Sequence, residues 1–331
     1  MFRAVILSWL AGCGFQLSGG SPAQIDSAID ADPDAPADAA SDAAIDAPAD
    51  AALDAPPPTC LDAWLGNTIR FAAPVALATV NSTSFERDPF LTPDELTLYV
   101  SSARAPSMGG DTWVATRANR MLPFGVPVLS AALSTAGNET KVSITGTGLF
   151  AVVGSDQAGG AGGVDVWETS RATLAAPWGA LTRTHVMAVN TAGSDHDPMI
   201  SANGLRLYTA PDSPGAQHIA VATRASLTAN FGAATTIAEL DSTMGDGDPS
   251  VSIDERIIVF YSGRTAAFTG GNIWYATRAS ATAAFGTPRI VPDVNSNSND
   301  GDPHLSVDGC RLYFGRDGGV DDWDLYLATA Q

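Results

Sequence analysis

Nine carboxylates carry most of the chemistry this sequence offers, and they recur at a fixed phase. Asp88, Glu139, Asp197, Asp248 and Asp302 occupy one slot of a repeated phrase, and all but Glu139 are followed by proline. Glu86, Asp195, Asp246 and Asp300 stand two residues before four of them. Acids that converge from repeated units onto one opening could hold a hard cation such as Ca²⁺, which takes several oxygen ligands. Two of them could also act as the acid and base of glycoside cleavage. Against both stands a structural role, in which each acid caps its own turn or pairs with Arg104, Arg264 or Arg316. Recurrence in every unit favours structure, because a catalytic centre needs residues that differ from their counterparts. His196 and His304 sit beside Asp197 and close to Asp302, but no two histidines have a metal-binding spacing. Trp113, Trp167 and Trp274 could stack on sugars, and their common phase equally suits packing between units. The chain has no Gly-x-Ser-x-Gly elbow, no phosphate loop and no Cys-x-x-Cys pair. No catalytic residue and no cofactor is therefore assigned, with Ca²⁺ on the acidic ring left open.

The elements that would position these residues are repeats. An aromatic-led phrase begins at Phe71, Phe124, Trp178, Phe231 and Phe285, with spacings of 53 and 54 residues. An Ala-Thr-Arg phrase, varied to Thr-Ser-Arg in the second unit, ends at Arg117, Arg171, Arg224 and Arg278, and a last copy runs Ala328-Thr329-Ala330. Each unit reads as four strands. The acidic phrase forms the first, and a tight turn such as Asn203-Gly204 or Asp308-Gly309 leads to an apolar second. The tryptophan-bearing stretch is the third. The Phe-Gly phrase is the fourth, and its prolines suit an edge strand. Four-stranded units of about 54 residues predict an all-β, five-bladed β-propeller. The first Phe phrase, at Phe71, would complete the blade that ends the chain. That closure brings Cys60 near Cys310 and predicts a disulfide between them in an exported protein.

The first sixty residues differ in kind. Met1-Phe2-Arg3 and the short apolar run from Ala4 to Leu10 suit a signal peptide over residues 1–12. Residues 13–59 hold Asp26, Asp30, Asp34, Asp38 and four further Asp at the same spacing, among Ala, Pro and Ser. Like charges at i,i+4 oppose a helix, and few apolar side chains are present to offset ordering entropy. This segment is expected to be a disordered tether, with residues 60–331 as the folded domain. The net charge of −19 excludes a nucleic-acid partner on electrostatic grounds.

Two resemblances add to this reading. Leu10-Ala11-Gly12-Cys13 resembles a bacterial lipobox, which implies cleavage before Cys13 and its lipidation. The phrase Asp302-Pro303-x-Leu305-Ser306-x-Asp308-Gly309, followed by Leu312-Tyr313-Phe314 and Gly318-Gly319, resembles the TolB-like, WD-like propeller repeat of bacterial envelope proteins. It covers about residues 68–330, with unit two departing at Glu139-Thr140 and unit three lacking the Gly-Gly stretch. Together they imply an exported lipoprotein, held by lipid at the cell envelope and most simply at the outer membrane. The expectation is a monomeric platform for envelope proteins that is not an enzyme. The alternative is a propeller that binds or cleaves cell-wall or external polysaccharide.

Overall fold

The computed structural model describes residues 59–331 apart from 108, 213–215, 265–267, 269 and 320–321. The leader, Cys13 and the acidic tether lie outside the described residues. Pro57–Gln331 forms one compact unit.

Five antiparallel sheets make the unit. The first blade is β2 (Glu86–Leu91), β3 (Thr97–Ser102), β4 (Asp111–Thr116) and β5 (Val128–Leu129). The second is β6 (Glu139–Ile144), β7 (Phe150–Ser155) and β8 (Asp165–Ser170), its outer strand reduced to a bridge between Glu168 and Thr182. The third is β9 (Asp195–Ile200), β10 (Arg206–Pro211), β11 (Ala220–Thr223) and β12 (Thr235–Thr236). The fourth is β13 (Asp246–Val251), β14 (Ile257–Ser262), β15 (Asn272–Thr277) and β16 (Arg289–Ile290). The fifth is β17 (Asp300–Leu305), β18 (Arg311–Asp317) and β19 (Trp323–Thr329), completed by β1 (Val75–Ala76) from the start of the domain. The innermost strands β2, β6, β9, β13 and β17 touch in sequence, and β17 touches β2, so the ring closes.

Each sheet is buried on both faces, which explains why the second strands read as continuous apolar runs such as Ile257-Ile258-Val259-Phe260. The joint that closes the ring packs Tyr313 and Leu325 of the fifth blade against Leu91, Leu98, Trp113 and Phe124 of the first.

The structure shows why Phe-Gly and Ala-Thr-Arg recur together. The arginine stacks on the aromatic of its own blade, with Arg117 over Phe124 at 4.3 Å, Arg171 over Trp178 at 4.2 Å and Arg278 over Phe285 at 4.1 Å. Its Nε donates to the carbonyl at the turn between the first two strands: Glu95, Gly148, Gly204 or Glu255. The residue after the aromatic, glycine in all but Ala72, donates its N–H back to the end of the third strand, as Gly125 does to Thr116 O at 2.9 Å, and in the four-stranded blades the outer strand pairs about four residues after the aromatic. In the last blade the arginine is missing, because Ala330 stands in its place. A short helix, α1 (Cys60–Leu65), supplies the substitute. Its Trp64 is fully buried, tilts against Phe71 at 5.6 Å and donates Nε1 to Gly309 O at 2.9 Å. Thr59 and Asp62 form a capping box that starts the helix. The sequence reading missed this helix, although Thr-x-x-Asp marks its start. Beside Trp64, a disulfide joins Cys60 to Cys310 across 250 residues of chain.

Candidate functional site at the channel mouth

Each innermost hairpin carries a bulge just after its first acid. Bulges re-aim side chains and concentrate beside functional sites. Here they put Asp88, Asp197, Asp248 and Asp302 in the left-handed region, with φ between 51° and 56°. Aspartate tolerates that region better than most residues, and the following proline disfavours right-handed helix. The four carboxyls converge at one end of the central channel.

Glu139 is not among them. The register aligns Glu139 with Glu86, Asp195, Asp246 and Asp300 at the first position of each innermost strand. The slot of Asp88 is filled in the second blade by Lys141. The ring expected from sequence as Asp88, Glu139, Asp197, Asp248 and Asp302 is thus four aspartates and a lysine. Two-residue spacing from the first acid identifies this slot, and Lys141 is the one lysine in the chain.

The first-position acids are structural. Arg104 pairs with Glu86 at 2.8 Å, Arg264 with Asp246 at 2.7 Å and Arg316 with Asp300 at 2.6 Å. Glu139 and Asp195 have no such arginine among the described residues. They hold their loops through Thr135 N and Thr191 N, at 2.9 and 2.6 Å. Burial raises both of their carboxyl pKa values.

The inner ring is a different environment. Asp302 accepts from Arg87 Nε at 3.0 Å, and the guanidinium lies 4.2 Å from the ring centre of Trp323. Asp302 N donates to Asp248 Oδ2 at 2.9 Å, and Asp248 N donates to Asp197 Oδ2 at 3.4 Å. Three blades are thereby laced together through their own carboxylates. Lys141 is fully buried and reaches across the channel to Pro249 O at 3.1 Å. Burial drives Asp88 well above the usual carboxylate range, and the charges of Asp302 and Asp197 add to it. Burial, then the neighbouring Asp197, pushes Asp248 up to about 7. Asp197 and Asp302 are also raised by burial, against the pull of Lys141 and Arg87.

Above the acids opens a cavity of about 440 Å³. Tyr261 and Trp323 give it aromatic wall, and Asn299, Gln217, Thr140 and His196 give it polar wall. Gly301 and Gly315 leave it room, since a Cβ on either would sit 3.2 Å from Asp248 Oδ2 or 3.0 Å from Asp302 Oδ2. Sequence reasoning singled out His196 here but missed Arg87, Tyr261 and Trp323, which recur in no other blade and so left no pattern. His304 lies elsewhere, buried one layer below beside Phe90 at 4.8 Å. Trp113 and Trp167 are buried, and Arg104 and Arg264 lie over Trp113 and Trp274, so these tryptophans pack within the blades.

No protein-family model and no curated protein sequence matches this chain. Solved structures do. A thermostable family-43 glycoside hydrolase aligns over 76% of this chain and 90% of its own, with 12% identity and a TM-score of 0.51. The catalytic domain of a GH62 α-L-arabinofuranosidase from Coprinopsis cinerea covers 80% of this chain and 97% of its own, at 13% identity and a TM-score of 0.54. TolB from Acinetobacter baumannii is also similar, at 11% identity and a TM-score of 0.45, over 76% of this chain and 56% of its own. The glycosidase likenesses are likenesses of fold.

Proposed function

We propose that this protein is an envelope-displayed propeller that binds a saccharide unit of a cell-wall or external polysaccharide in the channel-mouth cavity. The observation that carries the reading is the cavity itself. It joins an aromatic wall of Tyr261 and Trp323 to a floor of carboxylates and the Arg87 guanidinium. Its volume suits one or two sugar rings, and concave sites with a few convergent polar groups are where small ligands bind. Aromatic faces take the apolar face of a sugar, and carboxylates and amides take its hydroxyls. The fold shared with a glycoside hydrolase and an arabinofuranosidase agrees with this reading at the level of architecture.

Binding without cleavage is the better fit. Glycosidases hold their two carboxyls either about 5–5.5 Å or about 6.5–9.5 Å apart, flanking the bond to be broken. One oxygen from each of Asp88, Asp197 and Asp248 lies within 4.8 Å of the others, a close cluster rather than two carboxyls set apart across a bond. In this reading Cys13 anchors the chain by lipid and the acidic tether carries the propeller away from the membrane.

The test uses the full-length protein on a panel of cell-wall and external polysaccharides. Retention in affinity electrophoresis and release of reducing ends are read together. The expected result is retention by at least one polysaccharide, no release, and loss of retention in Trp323→Ala. Release that disappears in Asp248→Asn would make the protein a hydrolase. Absence of retention by every polymer would remove the saccharide reading. A Cys13→Ser variant is expected to leave the membrane fraction.

A further inference from the structure

The ring of four aspartates is asymmetric in how its charges are met. Asp302 has Arg87, bound through two nitrogens at 3.0 and 3.5 Å. Lys141 brings one further positive charge, and its ammonium is held at Pro249 O. In the ionised form that ligates a cation, the four carboxylates against two positive side chains leave two negative charges, shared among Asp88, Asp197 and Asp248. One oxygen from each of these three lies within 4.8 Å of the others. Asp88 is only 7% exposed, and its Oδ1 has no hydrogen-bond partner among the described residues. A buried carboxylate oxygen without a partner is costly, so such an atom in a native fold calls for a ligand.

We propose that Asp88, Asp197 and Asp248 bind one divalent hard cation, with Ca²⁺ the best match, at the floor of the channel-mouth cavity. Three chemical arguments select this ion. All donors are carboxylate oxygens, which suit Ca²⁺, Mg²⁺ or Mn²⁺ over Zn²⁺ or Cu²⁺. The donors come from three blades on a bulged backbone, and the cavity is open to solvent on one side. Ca²⁺ accepts such irregular shells of six to eight oxygens, whereas Mg²⁺ demands near-octahedral order. The two unmet charges equal the charge of the ion. The site joins blades one, three and four, so its occupation would also lock the ring. It stands independently of the saccharide reading.

The test is isothermal titration of CaCl₂ into EDTA-treated full-length protein, with a thermal melt in parallel. Asp88→Asn, Asp197→Asn and Asp302→Asn are nearly isosteric, and near-UV circular dichroism confirms their packing. The expected result is one high-affinity site per chain and a rise in Tm with Ca²⁺. Affinity should fall at least tenfold in Asp88→Asn and Asp197→Asn and change less than threefold in Asp302→Asn. Equal affinity in wild type and Asp88→Asn would put the ion elsewhere, on the acidic tether for example, and overturn the proposal. Absence of binding heat and of any Tm change in the wild type would overturn it directly.

Discussion

His304 offers a test of how dry the channel is beneath the acids. The side chain is 4% exposed, packs against Phe90 and lies near the Lys141 ammonium. Burial, then Lys141, lowers its pKa from 6.5 to about 3, against a hydrogen bond with the Leu91 backbone that raises it. The neutral imidazole is therefore the form the fold accepts. Its contribution is intact above pH 6.5 and is lost as pH falls from 6.5 toward 3. Each unit of that interval is worth about 1.4 kcal/mol, so the loss is about 2 kcal/mol by pH 5 and at most about 5 kcal/mol below pH 3. The ring carboxyls work in the opposite direction. Their raised pKa values make them more costly as pH rises, so the stability profile of the wild type alone mixes both effects. The comparison that isolates the histidine is His304→Met, because Met199 fills the equivalent position in the third blade. The Nδ1 of His304 has no hydrogen-bond partner among the described residues, so removing the ring nitrogens forfeits only the bond with the Leu91 backbone, a loss that is the same at each pH while the imidazole is neutral. Urea unfolding of both proteins at pH 7, 6 and 5 is the assay. The wild type should lose about 2 kcal/mol more than the variant between pH 7 and pH 5. Stability curves that stay parallel over that range would refute the argument.

Two further perturbations probe the ring and its closure. Lys141→Met removes the ammonium among buried carboxylates and should cost about 3–5 kcal/mol at neutral pH, with a smaller loss at pH 5 where those acids take up protons; denaturant titration at both pH values checks it. Cys60→Ser with Cys310→Ser frees a very long loop and should cost about 2–5 kcal/mol in the same assay. Reduction of the wild type should match that loss.

The architecture was legible because it repeats. Phe71, Phe124, Trp178, Phe231 and Phe285 share a phase, and so do the arginines stacked on the last four of them, so unit length and strand count followed from spacing. The site was legible only where it repeats. Asp88, Asp197, Asp248 and Asp302 stood out through the following proline, and that proline marks the bulge that aims them inward. Reading Glu139 as their fifth partner came from matching acid to acid. The strand register instead pairs it with Glu86 and brings Lys141 into the ring. Arg87, Tyr261 and Trp323 were invisible for the converse reason. They break the five-fold pattern, and they meet only because the ring places blades one, four and five around one opening. The same holds for Trp64, which takes the role of an arginine from 266 residues away in the chain, before Ala330.

The claim that the channel mouth is the functional site is tested most directly by following the Trp323 indole N–H in a ¹H–¹⁵N spectrum. The resonance is assigned with Trp323→Phe, and the full-length protein is titrated with an oligosaccharide cut from the polymer it retains. Saturable shifts of Trp323, with Trp64 and Trp113 unmoved, are the result expected here. Saturable binding that leaves the Trp323 resonance in place would show that the ligand sits elsewhere and would contradict the account.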